Sequence, residues 1–469
     1  MKKYDAIIIG SGIGGLICGC YLSKAGLRVL IIEQHNKVGG YCTSFKRSGY
    51  RFDVGIHYFG GVENGVLNRV LTDLDLKNKL QFKQFDPTDK IIMPDNTTYI
   101  RAKYQDTIKE FKKSFPNEGG NVANFFKDIK EKNVPYFYRN LKRYTFQRLL
   151  DEYFRNKKLK ATLGSLLGNI GLPPERASAL ASVILFKEFI LDPGYYPLGG
   201  IQAFPDALAT LIKNNGGEIL LSRNVTKILV KHNRVKGVVI DDDICMEAKK
   251  IVSNADLTHT FTNLLHGVNK EIEPSCSIFA CYLGLKTNLK NISRDSCGIW
   301  NFASYDLKNI YSRLRENILS KNKPSHILYL FPSAHDPTIK DRHKSTMVMM
   351  FFVPFLNKKF WDVHKEEISF NMINNADASF PNIKKYIETK VIATPFTFYR
   401  YTKNTNGAAF GLASTLQQMK KLSIPFKTTI KGLYLAGHWC SVGRGQAGIS
   451  GVSVAGKICA QQILREINN

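Results

Sequence analysis

Residues 4–33 read YDAIIIGSGIGGLICGCYLSKAGLRVLIIE, and the order of residue types in this stretch decides the fold. Ala6 to Ile9 is a short, largely β-branched run that ends in Gly10, and Gly10, Gly12 and Gly15 stand at G-x-G-x-x-G spacing immediately before a helical pattern. The first glycine permits a tight turn, the second lets backbone approach a pyrophosphate, and the third lets the helix pack close to the strand. The helix N-terminus then meets phosphate with unpaired N–H groups and the positive end of its dipole. Leu16, Gly19, Cys20 and Leu22 supply the packing side, Gly26 ends the helix, and Val29 to Ile32 form the next strand. Glu33 closes that strand about 20 residues after the glycines, where a carboxylate accepts hydrogen bonds from a ribose 2′-hydroxyl and would repel a phosphate. The stretch reads as a dinucleotide-binding unit. Met1-Lys2-Lys3 before an apolar run also has the form of a secretory signal, but Asp5 interrupts its start, glycines break its apolar core and the match runs on into a charged strand end.

A chain of 469 residues with 44% hydrophobic residues is long enough for two or three domains with a large core. No run reaches the ~18–20 apolar residues of a membrane-spanning helix, so a cytoplasmic chain, peripherally associated with a membrane, is expected. The nine cysteines, at 18, 20, 42, 245, 276, 281, 297, 440 and 459, include no C-x-x-C pair, which argues against a disulfide framework and a zinc site. The histidines show no ligand spacing such as H-E-x-x-H, so no metal is expected. Lys plus Arg number 66 against 39 Asp plus Glu, a net charge of +27. That surface suits anionic lipid headgroups. Nothing resembles a nucleic-acid-binding module, and nucleic acid is not expected as a partner.

Further along, Val38-Gly39-Gly40 and Arg51 to Gly61 are extended, glycine-punctuated stretches suited to backbone lying against a cofactor. Between 66 and 195 glycines thin out and helical patterns dominate. Residues 127–160 hold eleven Lys or Arg against four acids, interleaved with aromatics. On one helix Phe137, Leu141 and Tyr144 would share a face, leaving Arg139, Lys142 and Arg143 elsewhere. That pattern fits a core-packing helix with a solvated basic face, or one lying in a membrane interface. Tyr195 to Ile201 opens a new section with a helix over about 204–214 and strands near 218–222, 225–231, 235–241 and 250–253. Ser277 to Leu285, His326 to Phe331 and Ser345 to Val353 read as apolar strands of a mixed sheet carrying a substrate cavity. Ile430 to Trp439 is a strand ending in glycine, and Gly443, Gly445 and Gly448 lead into a last helix near Gly451. This second glycine turn would bring the chain's end to the same cofactor as its beginning.

Together these blocks resemble the phytoene desaturase family of FAD-dependent oxidoreductases, with its carotenoid isomerases and retinol saturases, within the wider amine-oxidase-like flavoprotein group. RFDVGIHYFG (51–60) is closest to the retinol saturase branch, YPLGG (196–200) matches the block before the adenine-side strand, and GLYLAGHWCSVGRGQAGISGVSVAGKICA (432–460) matches the closing FAD motif. In that motif His438 stands where many members have an acid. The resemblance implies an α/β fold: a discontinuous Rossmann-like FAD-binding domain (1–65, 196–260, 426–469) with an inserted α+β substrate and membrane-associating domain (66–195, 261–425). It implies FAD held by Gly10, Ser11, Gly12, Gly14, Gly15, Glu33, Gly39, Gly40, Val225, Gly437, His438, Gly448 and Ile449, with NADPH a candidate reductant. His57 and Tyr58 are expected near the flavin as catalytic residues, while Arg51 and Asp53 shape their loop. The activity implied is on carbon–carbon double bonds of an apolar polyene or isoprenoid lipid, as desaturase, saturase or redox-neutral isomerase, through hydride exchange with flavin N5. The alternatives are an oxidase of a soluble amine, which shares the FAD blocks, and a non-catalytic prenyl-binding escort, which would have no need of the glycines. Oligomeric state is not legible.

Overall fold

The strand Lys3–Ile9 lies between two parallel neighbours, Val29–Ile32 and the long strand Ile244–Ser253. The computed structural model describes residues 3–267, 271–289, 297–318, 324–336, 338, 343–421, 426–441 and 448–468. Around this centre the sheet runs in the order 225–231, 234–240, 244–253, 3–9, 29–32, 218–220, and Leu433–Leu435 pairs in parallel with the end of 244–253. Strict alternation gives the central strands two apolar faces. Ala6, Ile8, Val29 and Ile31 face Leu16, Leu208, Ile212 and Cys459 of three helices, Ile13–Lys24, Ala203–Asn214 and Gly448–Asn468. Ile7, Ile9, Leu30 and Ile32 face Val225, Ile228 and Val238 of the antiparallel meander. The last helix packs along the first: a Cβ at Gly456 would come within 2.3 Å of the Gly14 carbonyl oxygen. This is the Rossmann-like arrangement expected, closed by the C-terminal segment.

The second sheet has the order 387–393, 277–285, 345–353, 326–330, 298–302, 89–93, 96–100. One face, including Tyr282, Trp300, Phe302, Met350 and Phe352, is covered by helices between 104 and 190 through Phe111, Phe125, Phe126, Phe146 and Phe186. The other, including Phe279, Tyr329 and Met349, is covered by Trp361, Ile368 and Met372 of helix Lys358–Ser379. The 66–195 segment is therefore not wholly helical. Its hairpin Asp89–Met93 and Asn96–Ile100 extends the second sheet, and Phe82–Gln84 pairs with Tyr195–Pro197.

The basic segment differs from a single amphipathic helix. It breaks into Val134–Leu141, Phe146–Tyr153 and Lys157–Ser165, each started by a polar cap: Asn133 Oδ1, Thr145 Oγ1 and Asn156 Oδ1 accept from backbone N–H groups two or three residues on. Phe137 and Leu141 are buried. Tyr144 falls in the link between helices, where the Arg148 guanidinium lies 3.8 Å from its ring. The closing helix begins at Gly448, earlier than Gly451, and Gly443 and Gly445 lie outside the described residues.

Candidate active site

The glycine turn sits where strand 3–9 gives way to helix 13–24. Gly10 has φ +89°, which lets the chain reverse without a side-chain penalty. Gly12 caps the helix with extended backbone, and no side chain caps the first N–H groups. A Cβ at Gly14 would stand 2.5 Å from the Gly437 backbone nitrogen, which is how closely the two ends of the chain meet here. Gly15 packs under the Gly10 carbonyl oxygen and does not line the cavity. Ser11 is buried behind it: its N–H and hydroxyl donate to Glu33 Oε2 at 2.8 and 2.7 Å, and His35 N donates to Oε1 at 2.8 Å. Glu33 is thus fixed, with lone pairs left for a hydroxyl donor.

At this turn opens a cavity of about 300 Å³. Gly10, Gly12, Gly14, Glu33, Gly39, Gly40, Val225, Gly437, His438, Gly448 and Ile449 line it, as do His57 and Tyr58. Thirteen of the fifteen residues named from the sequence thus share one cavity, and the other two, Ser11 and Gly15, brace its floor. The nucleotide end also takes in Arg223, Asn254 and Lys403, which sequence reasoning did not name. An apolar arm of the cavity is walled by Ile170, Leu185, Phe189, Ile278, Met350, Phe398 and Phe410, which pack in one hydrophobic cluster. Among the described lining residues the single carboxylate is Glu33, at the nucleotide end.

Burial makes the histidines of the cavity neutral. His57 is pushed down to about 4 by desolvation, against a hydrogen bond with the Gly55 backbone; its Nε2 is buried without a partner. His438 is likewise lowered to about 4 by burial and sits 6.0 Å, ring to ring, from Tyr41. At this position it brings no negative charge to a diphosphate. Tyr58 stacks on Phe189 at 4.7 Å, and its hydroxyl is committed to Asp89, whose Oδ1 accepts from Trp300 Nε1 at 3.0 Å. Tyr58 therefore offers the cavity its ring, with its hydroxyl engaged in the wall. Behind the loop, Arg51 pairs with buried Asp336 and donates to Gly199 O at 2.9 Å, while Asp53 accepts from Ser44 Oγ at 2.6 Å and from Tyr196. These contacts hold the 51–61 loop against the cavity.

The Flavin containing amine oxidoreductase family model matches residues 13–271, more than half of the chain. The chain belongs to this family. Its members' cofactor fits the site: a glycine cradle at a helix N-terminus without a side-chain cap for a diphosphate, a fixed carboxylate for a ribose, and two buried polar atoms, His57 Nε2 and Asn254 Oδ1, left for a ligand. The protein is an FAD-dependent oxidoreductase. It is 28% identical to an all-trans-retinol 13,14-reductase of Danio rerio over 93% of this chain and 82% of that one. It is 27% identical to a chloroplastic prolycopene isomerase of Arabidopsis thaliana over 99% and 84%. These are retinol saturase and carotenoid isomerase types, of which the 51–60 block resembles the first and the 196–200 block the second. An oxidoreductase from Methanosarcina mazei shares the fold with TM-score 0.71 at 17% identity, covering 98% of this chain and all of that one.

Proposed function

We propose that the protein acts on a carbon–carbon double bond of an apolar polyene or isoprenoid lipid. The observation that carries this reading is the apolar arm beside His57, which has no acid to meet an ammonium group and seven aliphatic, aromatic or thioether side chains to bury a hydrocarbon. The relatives act, by their names, on retinol and prolycopene. Bound FAD supplies hydride exchange with carbon. The chain's own residues do the rest: the glycine cradle, with Ser11 and Glu33, holds the dinucleotide; the 51–61 loop, locked by Arg51 and Asp53, sets His57 at the start of the arm; and the arm excludes water. Neutral His57, with Nδ1 turned to the Gly55 backbone, presents the Nε2 lone pair to take a proton from the substrate or return it.

The same reading supplies a partner. Among the described residues no helix is long and apolar enough to cross a membrane, yet a polyene partitions into lipid. Helix Val134–Leu141 exposes Val134, Tyr136 and Tyr138 (41%, 37% and 50%) beside Lys132 and Lys142, whose ammonium groups lie over the two tyrosine rings. It packs on Ala179–Leu185, whose last residue lines the apolar arm. This helix is the proposed contact with an anionic membrane surface.

The test mixes the FAD-loaded protein, anaerobically and in oxidised and reduced forms, with all-trans-retinol, a carotene and an amine panel. NADPH serves as one reductant. The reading expects the polyene to change the flavin spectrum, or to emerge isomerised from the reduced protein, with no response to amines. Bleaching by an amine, peroxide formation and an unchanged polyene would overturn it in favour of an amine oxidase.

A further inference from the structure

Strand 244–253 pairs with strand 3–9 so that Ser253 lies opposite Ile9, and this register carries the next residue, Asn254, into the glycine turn. Its amide stands where the two glycine segments meet. A Cβ at Gly12 would lie 2.8 Å from Nδ2, one at Gly14 2.8 Å from Oδ1, and one at Gly437 2.5 Å from Oδ1. Nδ2 donates to the Gly10 carbonyl at 3.4 Å. Oδ1 is buried, has no hydrogen-bond partner, and belongs to a residue that lines the cavity. The reverse amide orientation would set oxygen against the Gly10 carbonyl, acceptor against acceptor, so the orphan is an acceptor in the favoured arrangement.

A buried acceptor without a donor costs desolvation that nothing in the chain returns. The ligand must therefore bring the donor. Phosphate oxygens are acceptors and cannot serve, and Glu33 already provides the acceptor at the other end of the nucleotide segment, where strand 29–32 ends. Gly437 belongs to the closing segment, away from Glu33. The adenine amino group lies beyond the ribose that Glu33 meets and flavin N3–H lies at the far side of the ring, so the donors next to the diphosphate cradle are the hydroxyls of the polyol between diphosphate and flavin ring. We propose that Asn254 is a cofactor-binding residue whose Oδ1 accepts a hydrogen bond from a ribityl hydroxyl of FAD. The inference rests on FAD as cofactor and is independent of the substrate proposed above. It also gives Asn254 a joint role, since one amide braces the Gly10 turn through Nδ2 and reads the cofactor through Oδ1.

The test is equilibrium binding to the apoprotein, followed by flavin fluorescence for FAD and by competition for ADP. Wild type is compared with Asn254→Ala, using FAD, ADP, and FAD analogues lacking one ribityl hydroxyl at a time. The expected result is a loss of FAD affinity about tenfold greater than any loss of ADP affinity for Asn254→Ala, and one analogue that binds wild type about tenfold more weakly than FAD but is not distinguished from FAD by the variant. An equal loss for FAD and ADP would make Asn254 only a prop of the glycine turn and overturn the proposal. Because the variant removes a contact to Gly10, the analogues on wild type decide the matter without it: if every analogue binds as tightly as FAD, the proposal is wrong.

Discussion

Asp89 is the residue on which the chemistry of the cavity wall can be read most directly. It is buried, and desolvation pushes its carboxyl up from 3.8 to about 7, against hydrogen bonds from Tyr58 and Trp300 that favour the charged form. In the unfolded chain the same carboxyl ionises near 4, so the native state holds a proton there that the unfolded state has released. Stability is therefore undiminished below about pH 4 and falls as pH rises toward 7, by roughly 4 kcal/mol over that window. Asp89→Asn stays neutral, can accept from Trp300 and can donate to Tyr58. The expected outcome is that the variant's melting temperature, relative to wild type, rises steadily between pH 4 and pH 7; a constant difference would show that the carboxyl does not resist ionisation. His57 makes a separate prediction. Replacing it with Phe keeps the cavity apolar and leaves the glycine cradle untouched, so FAD binding should be retained while polyene turnover falls about 10²-fold or more. Equal loss of both would make His57 a structural residue of the loop. The sequence placed His57 and Tyr58 near the flavin, but it gave no sign of Asp89, which lies 31 positions away and meets Tyr58 only because strand 89–93 joins the second sheet.

At the scale of elements, the first and last helices pack backbone against backbone. Gly456 faces the Gly14 carbonyl with a Cβ clearance of 2.3 Å, and the side chain of Ile17 stands 3.0 Å away. Gly456→Ala must push the last helix outward from backbone that cannot yield, at a cost of about 1–3 kcal/mol. Because Gly14 belongs to the cradle, the melting temperature and FAD affinity should fall together. A variant with normal melting and normal loading would show that the helices separate freely. This contact was not legible in the sequence, although both helices were, because periodicity names a packing side without naming its partner. The strands were read almost to the residue where apolar runs were long, as at Ser277–Leu285 and Ser345–Val353, since such runs are buried on both faces. The hairpin 89–100 leaves little trace in the sequence: DKIIM and NTTYI are short and partly polar, and only Pro94-Asp95 between them marks a turn. The basic segment hides its division into three helices for a similar reason. Its aromatic spacing continues through Tyr144, while the caps at Thr145 and Asn156 divide it.

On the whole molecule the excess of basic residues is too large to be answered by the ion pairs within it. Lys158 is held by Asp95 and Lys160 by Asp151, whereas Arg143 and Lys157 have no acidic partner among the described residues. A net charge of +27 acts over a Debye length of about 10 Å at 0.1 M salt and about 3 Å at 1 M, so attraction to an anionic bilayer should be strong in the first condition and weak in the second. Apolar anchoring has the opposite insensitivity to salt. The exposed Val134, Tyr136 and Tyr138 supply little area, so the electrostatic contribution should dominate, with each basic residue near the surface worth about 1 kcal/mol. Sedimentation with phosphatidylserine-containing vesicles should therefore be extensive at low salt, be largely lost at about 1 M, and be weak on phosphatidylcholine alone. Combining Tyr136→Ser, Tyr138→Ser, Lys142→Gln and Arg143→Gln should reduce the low-salt binding severalfold while leaving FAD loading intact, because this helix is remote in sequence from the cradle and none of the four residues lines the cavity. If the quadruple variant binds vesicles like wild type, the charge acts through another face. Binding that survives high salt would shift the argument from charge to apolar insertion, and the exposed side chains of helix 358–379, Val363 and Phe370, would become the surface to mutate next.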